Sequence, residues 1–80
     1  MQAEWNAEST DREYVAVVGL RIRIARLNRG WTGERLAEAA GISTRALQLI
    51  EHGKGNPTVL TLINLARALQ QDLRDFLPPS

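Results

Sequence analysis

The sequence predicts an all-α protein, a compact bundle of five helices, and three observations carry that expectation. Apolar residues recur at helical spacing, as with Val18, Ile22 and Ala25 at i, i+4 and i+7. Residues that stop helices, Gly30, Gly41, Gly53 and the pair Pro78 and Pro79, divide the pattern. Finally, 80 residues make one domain at most, burying about 60% of the surface its unfolded chain exposes. A helical bundle is the economical solution at that size, and a deep catalytic cleft is not expected.

The division read along the chain is an acidic, flexible N-terminal arm over residues 1–13, a helical domain over 14–77 and a tail over 78–80. Residues 1–9 are polar around an isolated Trp5 and have no period. Thr10 and Glu13 have the spacing of a capping box, so a first helix is expected from Thr10 to about Asn28, closed by Gly30 and Trp31. Its core stripe is Val18, Ile22 and Ala25. Leu20, Ile24 and Leu27 form a second apolar stripe that needs a cover, either Trp5, Tyr14 and the following helices or a second subunit.

Thr32 is the expected N-cap of a second helix over residues 33–40. Leu36, Ala37 and Ala40 give it a small-residue apolar edge, and Gly41 then reverses the chain, a role that calls for positive φ. Ile42 plugs the turn. A third helix over residues 43–51 follows, with the Ser43 hydroxyl capping its free N–H groups and Leu47 and Ile50 forming its buried edge. Small residues at Ala37 and Ala40 let two helices cross closely across a short turn, which is helix-turn-helix geometry and leaves one helix free to protrude. After the flexible stretch from Gly53 to Asn56, Pro57 precedes a fourth helix over residues 58–70 with Val59, Leu62, Leu65, Ala66 and Leu69 as its core face and Leu60 and Ile63 as surplus apolar residues. Asp72 caps a short fifth helix, residues 73–77, carrying Leu73 and Phe76.

The spacing of Ala37, Gly41, Ile42, Leu47 and Ile50 resembles the phage repressor and Cro-type helix-turn-helix family, also called the xenobiotic-response-element (XRE) family. The resemblance extends over residues 18–77: VGLRIRIARLNRGWT is similar to that family's first helix and its exit, and GKGNPTVLTLINLARALQQDL to its loop and fourth helix. It implies a lambda-repressor-like bundle in which helices 2 and 3 form the helix-turn-helix. It also implies a sequence-specific double-stranded DNA-binding transcriptional regulator, a repressor that places helix 3 in the major groove. Within that helix Thr44, Arg45, Gln48 and Leu49 are the base-reading candidates: arginine pairs bidentately with guanine, glutamine with adenine, and leucine touches a thymine methyl group. Thr32, Gly33, Ser43, Lys54 and Asn56 are the phosphate candidates, which set register and not sequence. Arg26 and Glu51 stand where the resembled family forms a partly buried ion pair joining the first and third helices.

Three departures from the family pattern stand out. Gly33 replaces a frequent glutamine and leaves only a backbone N–H at a helix N-terminus for phosphate. Leu49 stands where a polar or basic residue is common, and the stripe of Leu20, Ile24 and Leu27 is more apolar than usual.

Composition narrows the alternatives. Residues 14–58 hold seven basic side chains against Glu34, Glu38 and Glu51, while residues 1–13 hold Glu4, Glu8, Asp11 and Glu13 against Arg12. The basic middle suits phosphate binding. With no cysteine and a single histidine, His52, no metal cage is expected, and no cofactor. The apolar run of residues 15–20 is too short to span a membrane and no signal-peptide order is visible, so a cytoplasmic location is expected. The scattered carboxylates and unpartnered His52 give an enzyme poor support. The expected partner is double-stranded DNA, bound by a homodimer on a palindrome with half-sites roughly 10 base pairs apart. The alternative is an antitoxin or other protein-interaction module that uses the N-terminal arm for a protein partner and binds DNA secondarily.

Overall fold

The computed structural model describes residues 7–78. Four α-helices and one 3₁₀ turn follow one another: α1 (Ala7–Asn28), α2 (Gly33–Ala40), α3 (Thr44–Glu51), α4 (Val59–Ala68) and η1 (Leu73–Phe76). The all-α class expected from the sequence is the one observed, but the fifth element is a 3₁₀ turn and not an α-helix. Its four residues, capped by Asp72 and stopped by extended Leu77, are too few for a second α-helical turn. Trp5, one of the expected covers for the Leu20, Ile24 and Leu27 stripe, lies outside the described residues.

Two helix limits differ from expectation for local reasons. Helix α1 is already formed at Ala7, the first described residue, so the Thr10 and Glu13 pair sits inside the helix rather than at its start, and residues 7–13 of the expected arm are helical. Helix α4 is shorter than residues 58–70: Thr58 is its extended N-cap, and at the other end Gln70 takes φ +54°. A left-handed residue ends a right-handed helix.

Of the three interior hydroxyl caps, Thr32 and Ser43 are those expected from the chain, whereas Thr58, expected as the first residue of the fourth helix, is found as its N-cap. Thr32, Ser43 and Thr58 each turn a hydroxyl oxygen to accept from the backbone N–H three residues on, at 3.1, 3.0 and 3.0 Å. Gly41, with φ +74°, closes α2 while Ile42 N–H donates to the Ala37 carbonyl at 3.0 Å. Gly53, with φ +73°, does the same for α3 through Lys54 N–H and the Leu49 carbonyl at 2.8 Å. Both are Schellman-type closures, in which the left-handed residue lets the next N–H reach back to an orphan carbonyl.

One core cluster draws on every element: Val18 and Ile22 from α1, Leu36, Ala37 and Ala40 from α2, Leu47 and Ile50 from α3, Leu65 and Ala66 from α4, then Leu69 and Phe76. Ala25, Trp31, Ile42, Leu62 and Leu73 pack against it half-buried. Val59 is not part of it, being 66% exposed at the first position of α4. The core face of α4 starts a turn later, at Leu62.

Helix α1 crosses α3 at unusually close range. Gly19 is buried, and a Cβ built on it would fall 1.9 Å from the Ile50 carbonyl oxygen. A Cβ on Gly53 would likewise stand 3.0 Å from Ala16 Cα. The absence of a side chain at Gly19 therefore sets the depth at which α3 seats on α1, and with it the presentation of α3's outer face.

Candidate nucleic-acid interface

Helix α3 is amphipathic in the way a presented helix must be. Leu47 and Ile50 are buried, while Arg45, Gln48 and Leu49 are exposed and Thr44 is half-buried. Leu49 is 38% exposed, so it forms part of the outer surface and is not an internal packing residue. Arg45, Gln48, Leu49, His52 and Lys54 line one shallow open hollow at the C-terminal end of α3. Two cations, an amide and an apolar group thus share a surface, the mixture needed to meet phosphates and base edges together.

The phosphate candidates are spread around this helix. Ser43 caps its start and Thr32 caps α2, and because each hydroxyl oxygen accepts from the backbone, each O–H remains available to donate. Lys54 and Asn56 are exposed on the loop after α3, and Gly33 is half-buried at the first position of α2. His52 is anchored beside them: its Nδ1–H donates to the Gln48 carbonyl at 2.7 Å, leaving Nε2 as the outward nitrogen.

The ion pair implied by the family resemblance is present and well made. Arg26 Nε donates to Glu51 Oε2 at 2.8 Å and Arg26 Nη2 donates to Oε1 at 2.9 Å, a bidentate pair. Their side chains are only 13% and 8% exposed. The third donor direction is also used, Nη1 reaching the Trp31 carbonyl at 2.9 Å. Hydrogen bonding to Glu51 raises the Arg26 pKa above its ordinary value against the opposing cost of burial, so the guanidinium stays charged. A planar fork held on three sides ties the end of α3 to α1 and to the chain entering α2.

Two contributors were not read from the sequence as such. Gly19, whose bare backbone admits α3, had no local signal, since a glycine inside a helical pattern marks close approach only once the neighbour is known. Trp31 was read as a helix-closing residue. Its indole in fact lies under two guanidinium groups, with Arg29 and Arg35 Cζ at 4.7 and 4.6 Å from the ring centroid. These cation–π contacts fasten the α1 exit to α2. Arginines two before and four after a tryptophan were the available clue.

A protruding amphipathic helix, braced from behind and flanked by hydroxyl, amide and cationic groups, defines a DNA-binding helix-turn-helix module. The helix-turn-helix family model matches residues 22–76, and the chain belongs to the XRE-type helix-turn-helix family of DNA-binding transcriptional regulators. It is 43% identical over 54 residues, 68% of its length, to the HTH-type transcriptional regulator SutR of Escherichia coli (strain K12). It is 40% identical over 64 residues, 80% of its length, to y4dJ of Sinorhizobium fredii, an uncharacterized HTH-type transcriptional regulator. The match covers 30% of SutR and 83% of y4dJ.

Solved structures agree. The restriction-modification controller protein C.AhdI from Aeromonas hydrophila superposes with a TM-score of 0.77 at 27% identity, over 79% of this chain and 96% of that one. The clp gene regulator ClgR from C. glutamicum gives 0.75 at 27% identity, over 79% and 82%. No helix among the described residues is long and apolar enough to cross a membrane.

Proposed function

We propose that this regulator is a cytoplasmic repressor that binds a palindromic operator as a homodimer, with α3 in the major groove and no catalytic step. The observation that carries this reading is the outer face of α3, where Arg45, Gln48 and Leu49 stand exposed on a helix whose opposite edge is locked in the core. Arg45 and Gln48 read base edges through paired hydrogen bonds, and Leu49 and the half-buried Thr44 add apolar contact with thymine methyl groups. Thr32, the Gly33 N–H, Ser43, Lys54 and Asn56 hold phosphates on either side. A module this small covers limited DNA, so two copies on a symmetric site supply the affinity one lacks, with half-sites about one helical turn apart. Occupying the operator is sufficient to block transcription.

The test is selection of binders from a random duplex library at near-physiological salt, with Arg45→Ala in parallel. The reading expects a two-fold symmetric site from the unaltered chain and relaxation at one position of each half with the variant. Binding that is salt-labile and selects no sequence would refute it.

A further inference from the structure

Arg45, Gln48, Leu49 and His52 fall at i, i+3, i+4 and i+7, so the histidine continues the outer face of α3 one turn past the base-reading candidates. All four are exposed, and with Lys54 they line one hollow. At a rise of about 1.5 Å per residue, His52 stands about 10 Å along the helix axis from Arg45. The major groove is about 12 Å wide, and a recognition helix meets base edges with its N-terminal residues. With Arg45 on a base edge, His52 and Lys54 therefore reach the groove wall, where phosphate oxygens are the groups on offer.

The ring is held in one tautomer. Its Nδ1 lies 2.7 Å from the Gln48 carbonyl oxygen, which also accepts the His52 backbone N–H at 3.0 Å. A carbonyl oxygen can only accept, so Nδ1 carries the proton and the neutral ring turns a bare lone pair outward at Nε2. A phosphate oxygen is an acceptor too, and the two repel. Only the imidazolium, with a second N–H at Nε2, donates to it.

The hollow itself contains no acid. Arg45 and Lys54 are the other charged groups lining it, and both are cations. Glu51, next in the chain, is held through both oxygens by Arg26 and is 8% exposed. On α1, which α3 and Gly53 abut at Gly19 and Ala16, the charged residues within a turn are Arg12, Glu13, Arg21 and Arg23, and none lines the hollow. A phosphate is thus the counter-charge that suits three cations gathered there.

We infer that His52 is a further DNA-phosphate contact, made by its protonated ring through Nε2, so that binding DNA takes up a proton. The inference rests on the reading of α3 as the groove-binding helix and adds to it a residue and a pH dependence. A contact made only by the imidazolium strengthens binding fully below the pH at which the free chain loses that proton. The gain is lost as pH rises through the titration in the complex. Imidazole changes charge between about pH 5 and 8, so affinity falls across neutrality.

Fluorescence anisotropy of the full chain tests it, from about pH 5.5 to about pH 8.5 at fixed salt, on the duplex most enriched by selection and on a scrambled one. The affinity of the unaltered chain is expected to fall about tenfold over that range, as for the loss of one charge-assisted contact. Its log–log salt slope is expected to be steeper by about 1 at the acid end. His52→Ala is expected to keep the weaker, high-pH affinity throughout, and His52→Lys, cationic over the whole range, to bind tightly with no pH dependence. Neither change touches the core, since the ring is exposed. An unaltered chain as indifferent to pH as His52→Ala, or a pH dependence that survives in His52→Ala, would overturn the inference. Base reading is judged separately, from the gap between the two duplexes at one pH. Equal binding to both defeats it, yet the pH dependence of that binding still decides the role of His52, because phosphate is common to both. A chain that binds neither duplex overturns both readings.

Discussion

The Ile50 carbonyl oxygen occupies the space where a side chain on Gly19 would begin, 1.9 Å from the position of its Cβ. Backbone cannot yield as a flexible side chain can, so any larger residue drives α1 and α3 apart. Gly19→Ala favours helix by propensity yet is expected to destabilise the domain by about 1–3 kcal/mol. Thermal unfolding followed by circular dichroism measures the loss, and a variant as stable as the parent would show that the crossing is not tight.

Arg26 and Glu51 depend on each other because both are nearly out of water. Arg26→Met leaves the Glu51 carboxylate with no counter-charge in that setting, at a cost of about 3–5 kcal/mol. The joint change Arg26→Met with Glu51→Leu removes both charges and is expected to recover most of that loss. Urea unfolding of the parent, both single variants and the double variant gives the coupling energy directly.

Lys54 and Arg45 line the same hollow but are expected to fail differently. Lys54→Ala removes a phosphate contact, so binding should weaken by a similar factor on every sequence and the log–log salt slope should fall by about 1. Arg45→Ala should cost about 1–3 kcal/mol on the preferred site and little on unrelated DNA. Fluorescence anisotropy across a salt series, with selected and scrambled duplexes, separates the two.

Asp72 sets a pH signature at η1. The Arg74 side chain, and then the Arg74 backbone N–H, hold its carboxyl down to about 2 from 3.8. A depressed carboxylate contributes its stabilisation fully above the ordinary value, and the contribution is lost as pH falls through the folded value. The cap should therefore persist at pH 4 and loosen toward pH 2. Carboxyl carbon NMR should show a midpoint near 2 for Asp72, and Arg74→Ala should raise it only part of the way, since the backbone N–H remains.

Features governed by a few neighbouring residues were determined by the sequence itself. The hydroxyl caps at Thr32, Ser43 and Thr58 act on an N–H three residues away, and the left-handed turns at Gly41 and Gly53 follow from what glycine alone does without strain. The bounds of α2 were legible to the residue for that reason. The spacing of Arg26 and Glu51 became informative only through the family resemblance, and their bidentate geometry belongs to the fold. What tertiary structure decided was which apolar residue meets a neighbour. Val59 and Phe76 both belong to apolar elements, yet one is 66% exposed and the other 1%. Gly19 and Ile50, far apart in the chain, acquire their relation only when α1 and α3 cross. Periodicity marks a face as apolar, but burial requires a partner surface, and the packing of helices supplies or withholds it.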